Sequence, residues 1–235
     1  MKTEHKEIHN RVKSAISQLV LNEPWWGVLS LRLHTRVRTD IKTACTDGRN
    51  MDFNPKYVAN LTPFELEGLI AHEVGHNALN HITRIGNRTL ARWQIATDHA
   101  DNLLLLECGF ILPEGALADP QYKDMSAEAI YELLPEDAGK PCPWGYINPV
   151  PGGANSNTVT ELEQEWRLAV LQATEVANQA GKLPGALKRL VDRLEKSTLD
   201  FRDYLWPFFS SASKNDFTWK RPHRAYISED EYFPS

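Results

Sequence analysis

Apolar residues in the first helix-length stretch recur three and four apart. Ile8, Val12, Ala15, Ile16, Leu19 and Val20 line up in this way across residues 5–21, with charged residues between them. That spacing predicts an amphipathic helix, ended by Pro24. From Trp25 to Val37 the pattern becomes partly alternating, through Val28-Leu29-Ser30-Leu31-Arg32-Leu33, and predicts β structure. Two further β segments, Ile41 to Thr46 and Met51 to Phe53, flank Asp47-Gly48, a strong hairpin-turn pair. A small N-terminal sheet is therefore expected.

The helical period returns at Thr62-Pro63-Phe64-Glu65. Thr62 can cap, Pro63 suits the first helical position, and Glu65 completes a capping box. This helix is expected to run to about Ile85, stopped by Gly86. A second, from about Thr89 to Glu107, is closed by Gly109. Pro113 to Asp124 reads as loop and Ser126 to Leu134 as a short helix. Residues 135–158, rich in Pro, Gly and Asn, read as a flexible connection. Thr160 and Glu163 form another capping box, opening a helix to about Ala180. Two more helices are expected, at about 184–195 and 199–211. No internal repeat is found. The expected architecture is α+β and mainly helical, with a small sheet and hairpin: a core at 1–134, the connection at 135–158, and a helical region at 159–235 packing on the core.

Composition narrows the functional classes. The 235 residues are 42% hydrophobic and 24% charged, with a net charge of -5, as in an ordinary soluble domain without an attraction to nucleic acid. The run from Leu103 to Leu112 is too short for a membrane span and contains Glu107. The N-terminal residues are polar throughout, unlike a signal peptide. Cys45, Cys108 and Cys142 are odd in number and widely spaced, which fits a reduced, cytoplasmic protein. No glycine-rich nucleotide-binding loop occurs. The tryptophans read as core anchors.

The chemistry concentrates in His72-Glu73-Val74-Gly75-His76, an H-E-x-x-H sequence. Residues four apart on a helix lie one turn above each other, so both imidazoles can hold one zinc while Glu73 sits beside a water in the open position. Two histidines leave the site one protein ligand short. The second helix offers Asp98 and Asn102 on one face. Asp98 is taken as the third ligand, with Asp101 and His99 as competitors. His81 lies five residues beyond His76, some 140° around a helix, and should face away unless the helix breaks early. His5 and His9 read as solvated.

With these residues in place, the chain resembles a bacterial zinc-metallopeptidase domain family of the HExxH, zincin-like type, often followed by a von Willebrand factor A-like domain. The resemblance runs through TDGRNMDFNPKYVANLTPFELEGLIAHEVGHNALNHITR, WQIATDHADN, FILPEG and the SAEAIYELL helix. It continues more weakly through GKLPGALKRLV, LDFRDYLWPFF and FTWKRPHRAY. It implies a zincin-like fold, Zn2+ as cofactor, Asp98 as third ligand and Asn102 as its supporting residue. It also implies a protein or peptide substrate and a regulatory protein partner. No D-x-S-x-S metal-adhesion motif of an A-like domain appears in the chain.

Two readings follow. In the first, Glu73 is the general base of zinc-dependent peptide hydrolysis, with the oxyanion donor unassigned and Tyr226 or His223 as candidates. In the second, the chain is a non-catalytic, zinc-bound scaffold that recognises a protein partner. Retention of Glu73 favours the first.

Overall fold

The structure, a computed structural model, describes residues 2–138 and 156–196. Expectations about 139–155, Cys142, the helix at 199–211, His223 and Tyr226 lie outside the described residues. The chain divides into a compact unit, Met1–Val191, and a second one, Asp192–Ser235. Only residues 192–196 of the latter are described.

Helix α1 (Lys2–Asn22) buries Ile8, Val12, Ala15, Ile16 and Leu19, the stripe its spacing predicts. Each of the Ile, Val and Leu side chains, once buried, contributes roughly 1.5–3 kcal/mol. The next segment departs from expectation. Pro24–Ser30 form a short helix, α2, with Pro24 in its first turn, in place of β structure. Here Trp25, Trp26, Leu29 and Ser30 are all buried. An apolar run covered on every side has lost the polar face by which period two and period 3.6 are distinguished. The two indoles meet edge to face at 4.6 Å, and Trp26 packs edgewise on Phe110 at 5.7 Å.

Strands β1 (His34–Val37), β2 (Ala44–Thr46) and β3 (Asn50–Phe53) form one sheet in the order β1-β3-β2. β2 and β3 pair antiparallel, as the expected hairpin, with Thr46 opposite Met51 and Ala44 opposite Phe53. Gly48 takes the left-handed conformation (φ 91°) that the turn requires. β1 joins β3 parallel, placing Arg36 opposite Asp52. The Asp52 carboxylate is buried and accepts from Arg36 Nε and Nη2 (2.6 and 2.8 Å) and from Arg38 Nη1 (3.0 Å). That pairing satisfies an otherwise costly buried charge.

After α3 (Pro55–Ala59) comes α4 (Pro63–Ala78), opened by the expected capping box. Glu65 N–H donates to Thr62 Oγ1 (3.3 Å) and Thr62 N–H donates to Glu65 Oε2 (2.8 Å). Its end differs from expectation: α4 stops at Ala78 rather than near Ile85. Asn80, with φ 54°, takes the left-handed position, and a double hydrogen bond closes the end. Asn80 N–H donates to the Asn77 carbonyl and His81 N–H donates to the His76 carbonyl, both at 2.9 Å. That pair of bonds is a Schellman stop.

α5 (Leu90–Glu107) and α6 (Ala127–Leu133) follow within a residue or so of the predicted limits. A 3-10 turn at Pro120–Tyr122 lies in the expected loop. Ile95, Ala96, Tyr122, Ile130 and Leu134 form one buried cluster between α5 and α6. α7 runs Ser156–Gln179, so the Thr160–Glu163 signature lies inside the helix and does not mark its start. The same three-residue spacing that makes a box also fits an uninterrupted helical turn. α8 is Gly185–Lys196. Two tryptophans hold α7 to the N-terminal elements: Trp166 donates to the Gly48 carbonyl (2.9 Å) and Trp25 donates to Thr174 Oγ1 (3.0 Å). Among the described residues no helix is long and apolar enough to cross a membrane.

Candidate metal centre

Partners on α4 and α5 run in opposite directions. His72 meets Asn102, and one turn later His76 meets Asp98, so the two helices lie antiparallel. This packing is what brings the H-E-x-x-H face against the second helix. Gly75 permits it, because a methyl on Gly75 would occupy the space of the Asp101 carboxylate.

His72 Nε2 and His76 Nε2 stand 3.0 Å apart. Asp98 Oδ1 is 3.3 Å from His76 Nε2 and 3.8 Å from His72 Nε2. One ligand atom from each of the three residues falls within 4.8 Å of the others. Ligands about 2.0–2.1 Å from a tetrahedral zinc are separated by about 3.3 Å. The three atoms thus fit a small divalent cation, and their chemistry, two imidazoles and a carboxylate, suits one.

His72, Glu73 and His76 are fully buried and Asp98 is 1% exposed. Burial, reinforced for His72 by the neighbouring His76, pushes both imidazoles down to about 3. They are therefore neutral at pH 7, the form that ligates a metal. Burial, followed by the charges of Asp98, Asp101 and Asp52, pushes the Glu73 carboxyl well above the usual range. Among the described residues neither Glu73 carboxylate oxygen has a hydrogen-bond partner. A buried acid in that state is rare unless a ligand or a reaction uses it.

The surrounding residues orient the imidazoles. Asn102 Oδ1 accepts from His72 Nδ1 at 2.9 Å, while Asn102 Nδ2 donates to the Leu117 carbonyl at 3.0 Å, which fixes the amide. Asp101 Oδ2 lies 3.3 Å from the same His72 nitrogen, and burial, followed by the charge of Asp98, raises its carboxyl. Asp101 thus faces the side of His72 away from the cluster. His99, the other competitor, is outside the cluster: its Nδ1 accepts from Asp119 N–H at 3.1 Å. His81 is brought in by the early end of α4, with its Nδ1 3.0 Å from His76 Nδ1. The signal that would have found it is Asn80, an acceptable left-handed residue one position before His81. On the far side, Asn77 Nδ2 donates to Thr46 Oγ1 (2.9 Å) and ties α4 to the hairpin.

Fold and site together define an α+β protein with a buried His-His-Asp cluster suited to a metal ion. The family model described as "Putative metallopeptidase domain" matches residues 7–145 and 143–235, and the chain belongs to that family. No curated protein and no solved structure matches the chain.

Proposed function

We propose that the chain is a zinc-dependent peptidase of zincin-like type, in which His72, His76 and Asp98 hold the metal and Glu73 is the general base. The observation that carries this reading is the convergence of three ligand atoms beside a buried glutamate whose carboxylate has no hydrogen-bond partner among the described residues. A bound zinc would supply Lewis acidity, lowering the pKa of a water and polarising the scissile carbonyl. Glu73 then takes a proton from the attacking water and passes it to the leaving nitrogen. Burial, followed by the charges of Asp98, Asp101 and Asp52, raises the Glu73 carboxyl, which favours its holding the proton between the two halves of that task. Asn102 holds His72 with Nε2 toward the metal by accepting the proton on Nδ1. The substrate is a protein or peptide, and the cellular setting is the cytoplasm.

Full burial of the four side chains favours a second reading, a zinc-bound scaffold that binds a protein partner without hydrolysis. Hydrolysis requires the site to open to a substrate; a scaffold does not. Metal analysis of wild type and His76→Ala tests what the two readings share. About one zinc per wild-type chain and none in the variant is expected, and equal content in both would overturn the site. Peptide hydrolysis by the zinc-loaded wild type then separates the two readings.

A further inference from the structure

We infer that His81 is a positioning residue, accepting the Nδ1 proton of His76 and so presenting His76 Nε2 to the metal. The inference rests on the zinc-site reading above and extends it to a residue outside the H-E-x-x-H sequence. An imidazole that ligates through Nε2 carries its proton on Nδ1. For His76 that nitrogen points away from His72 and Asp98, into the buried turn after α4, where His81 Nδ1 lies at 3.0 Å. Two ring nitrogens at that distance share a single proton. If His76 supplies it, His81 is the tautomer protonated at Nε2 and its Nδ1 is the acceptor.

The chain builds this contact deliberately from backbone geometry. The left-handed Asn80 and the His81 N–H bond to the His76 carbonyl reverse the chain, so a side chain five residues on lies beside His76 rather than about 140° away. α5 then holds the turn in place. Trp93, buried in its first turn, donates its indole N–H to the His81 carbonyl at 2.8 Å. The Trp93 ring meets the His81 imidazole edge to face, with centroids 6.2 Å apart. Each histidine of the cluster thus has its own acceptor at Nδ1: Asn102 Oδ1 for His72 and His81 Nδ1 for His76. α5 supplies the first and braces the second.

The test compares zinc affinity, by competition with a chromophoric chelator, for wild type, His81→Asn and His81→Leu. Asn keeps an acceptor near the position of Nδ1, whereas Leu fills the space without one. The Co2+ absorption spectrum of each variant reads ligand geometry independently of activity. His81→Leu is expected to bind zinc about 10–100-fold more weakly, with an altered cobalt spectrum. His81→Asn should stay within about threefold of wild type, keeping its spectrum. Leu binding like wild type, or Asn losing as much as Leu, would overturn the role. Should His81→Leu fail to fold, the 15N signals of the zinc-loaded wild type decide: a proton on His76 Nδ1 and none on His81 Nδ1 supports the role, and the reverse overturns it. Wild type that takes up no zinc would overturn the site reading as well. Stoichiometric wild-type zinc with an indifferent Leu variant would overturn this inference alone.

Discussion

Asp101 occupies the space that a side chain on Gly75 would fill, so α4 and α5 touch through a glycine and a buried carboxylate. In an ordinary exposed helix, Gly to Ala stabilises by about 1 kcal/mol. Here Gly75→Ala should instead destabilise by about 1–3 kcal/mol through overpacking, because the added methyl overlaps the buried Asp101 carboxylate. Urea unfolding gives the sign directly. The same variant should lose zinc affinity, since moving α5 outward carries Asp98 away from His76.

Asp98 and Asn102 lie one turn apart on that helix but do different work, and their variants should differ accordingly. Asn102→Ala removes the acceptor of His72 Nδ1 and the donor to the Leu117 carbonyl but no proposed ligand atom, and should weaken zinc binding about 10–100-fold. Asp98→Ala removes the proposed third ligand atom and should weaken it by more than that. Chelator competition on the two proteins checks the order. A larger loss for Asn102→Ala would remove Asp98 from the ligand set.

A pH-dependent prediction comes from the pair that fastens α6 to the turn after α4. Arg84 donates to Glu128 from Nε (3.0 Å) and Nη2 (2.6 Å). Burial acts against Glu128 ionisation, but the Arg84 hydrogen bonds and charge outweigh it and hold the carboxyl below its usual range. A depressed folded-state pKa gives stability that is present above the unfolded value and lost as pH falls through the folded one. Both groups are about one-third exposed, so wild type should exceed Glu128→Gln by no more than about 1 kcal/mol at pH 7. The gap should close as pH falls below about 4.5. Paired urea titrations at the two ends of that range measure it, and a gap that does not change with pH would contradict the assignment.

These residues also show what could be read from the chain. The α4 start was legible because Thr62, Pro63 and Glu65 each satisfy a local backbone demand, and the hairpin because Asp47-Gly48 tolerates a left-handed turn. His72 and His76 converge because one turn of helix brings them together, and Asp98 is readable as a carboxylate on the helix that follows. The end of α4 was not legible. Asn80 is a weaker stop than Gly86, and its effect depends on Trp93 holding the turn from another helix. The α2 segment reads as β structure in the sequence because its helical packing depends on partners distant in sequence, including Phe110 beside Trp26 and Thr174 beside Trp25. The place of Asp101 beneath Gly75 depends on the register of two helices, which no local pattern encodes.

The most direct test of the central claim is zinc content together with casein hydrolysis, measured on wild type and Glu73→Gln. Glu73 touches neither histidine through a hydrogen bond, so the variant should keep about one zinc per chain. Its hydrolysis should fall at least about 10²-fold, the usual worth of a general base. Equal hydrolysis by both proteins, or no zinc in a folded and unchelated wild type, would contradict the account.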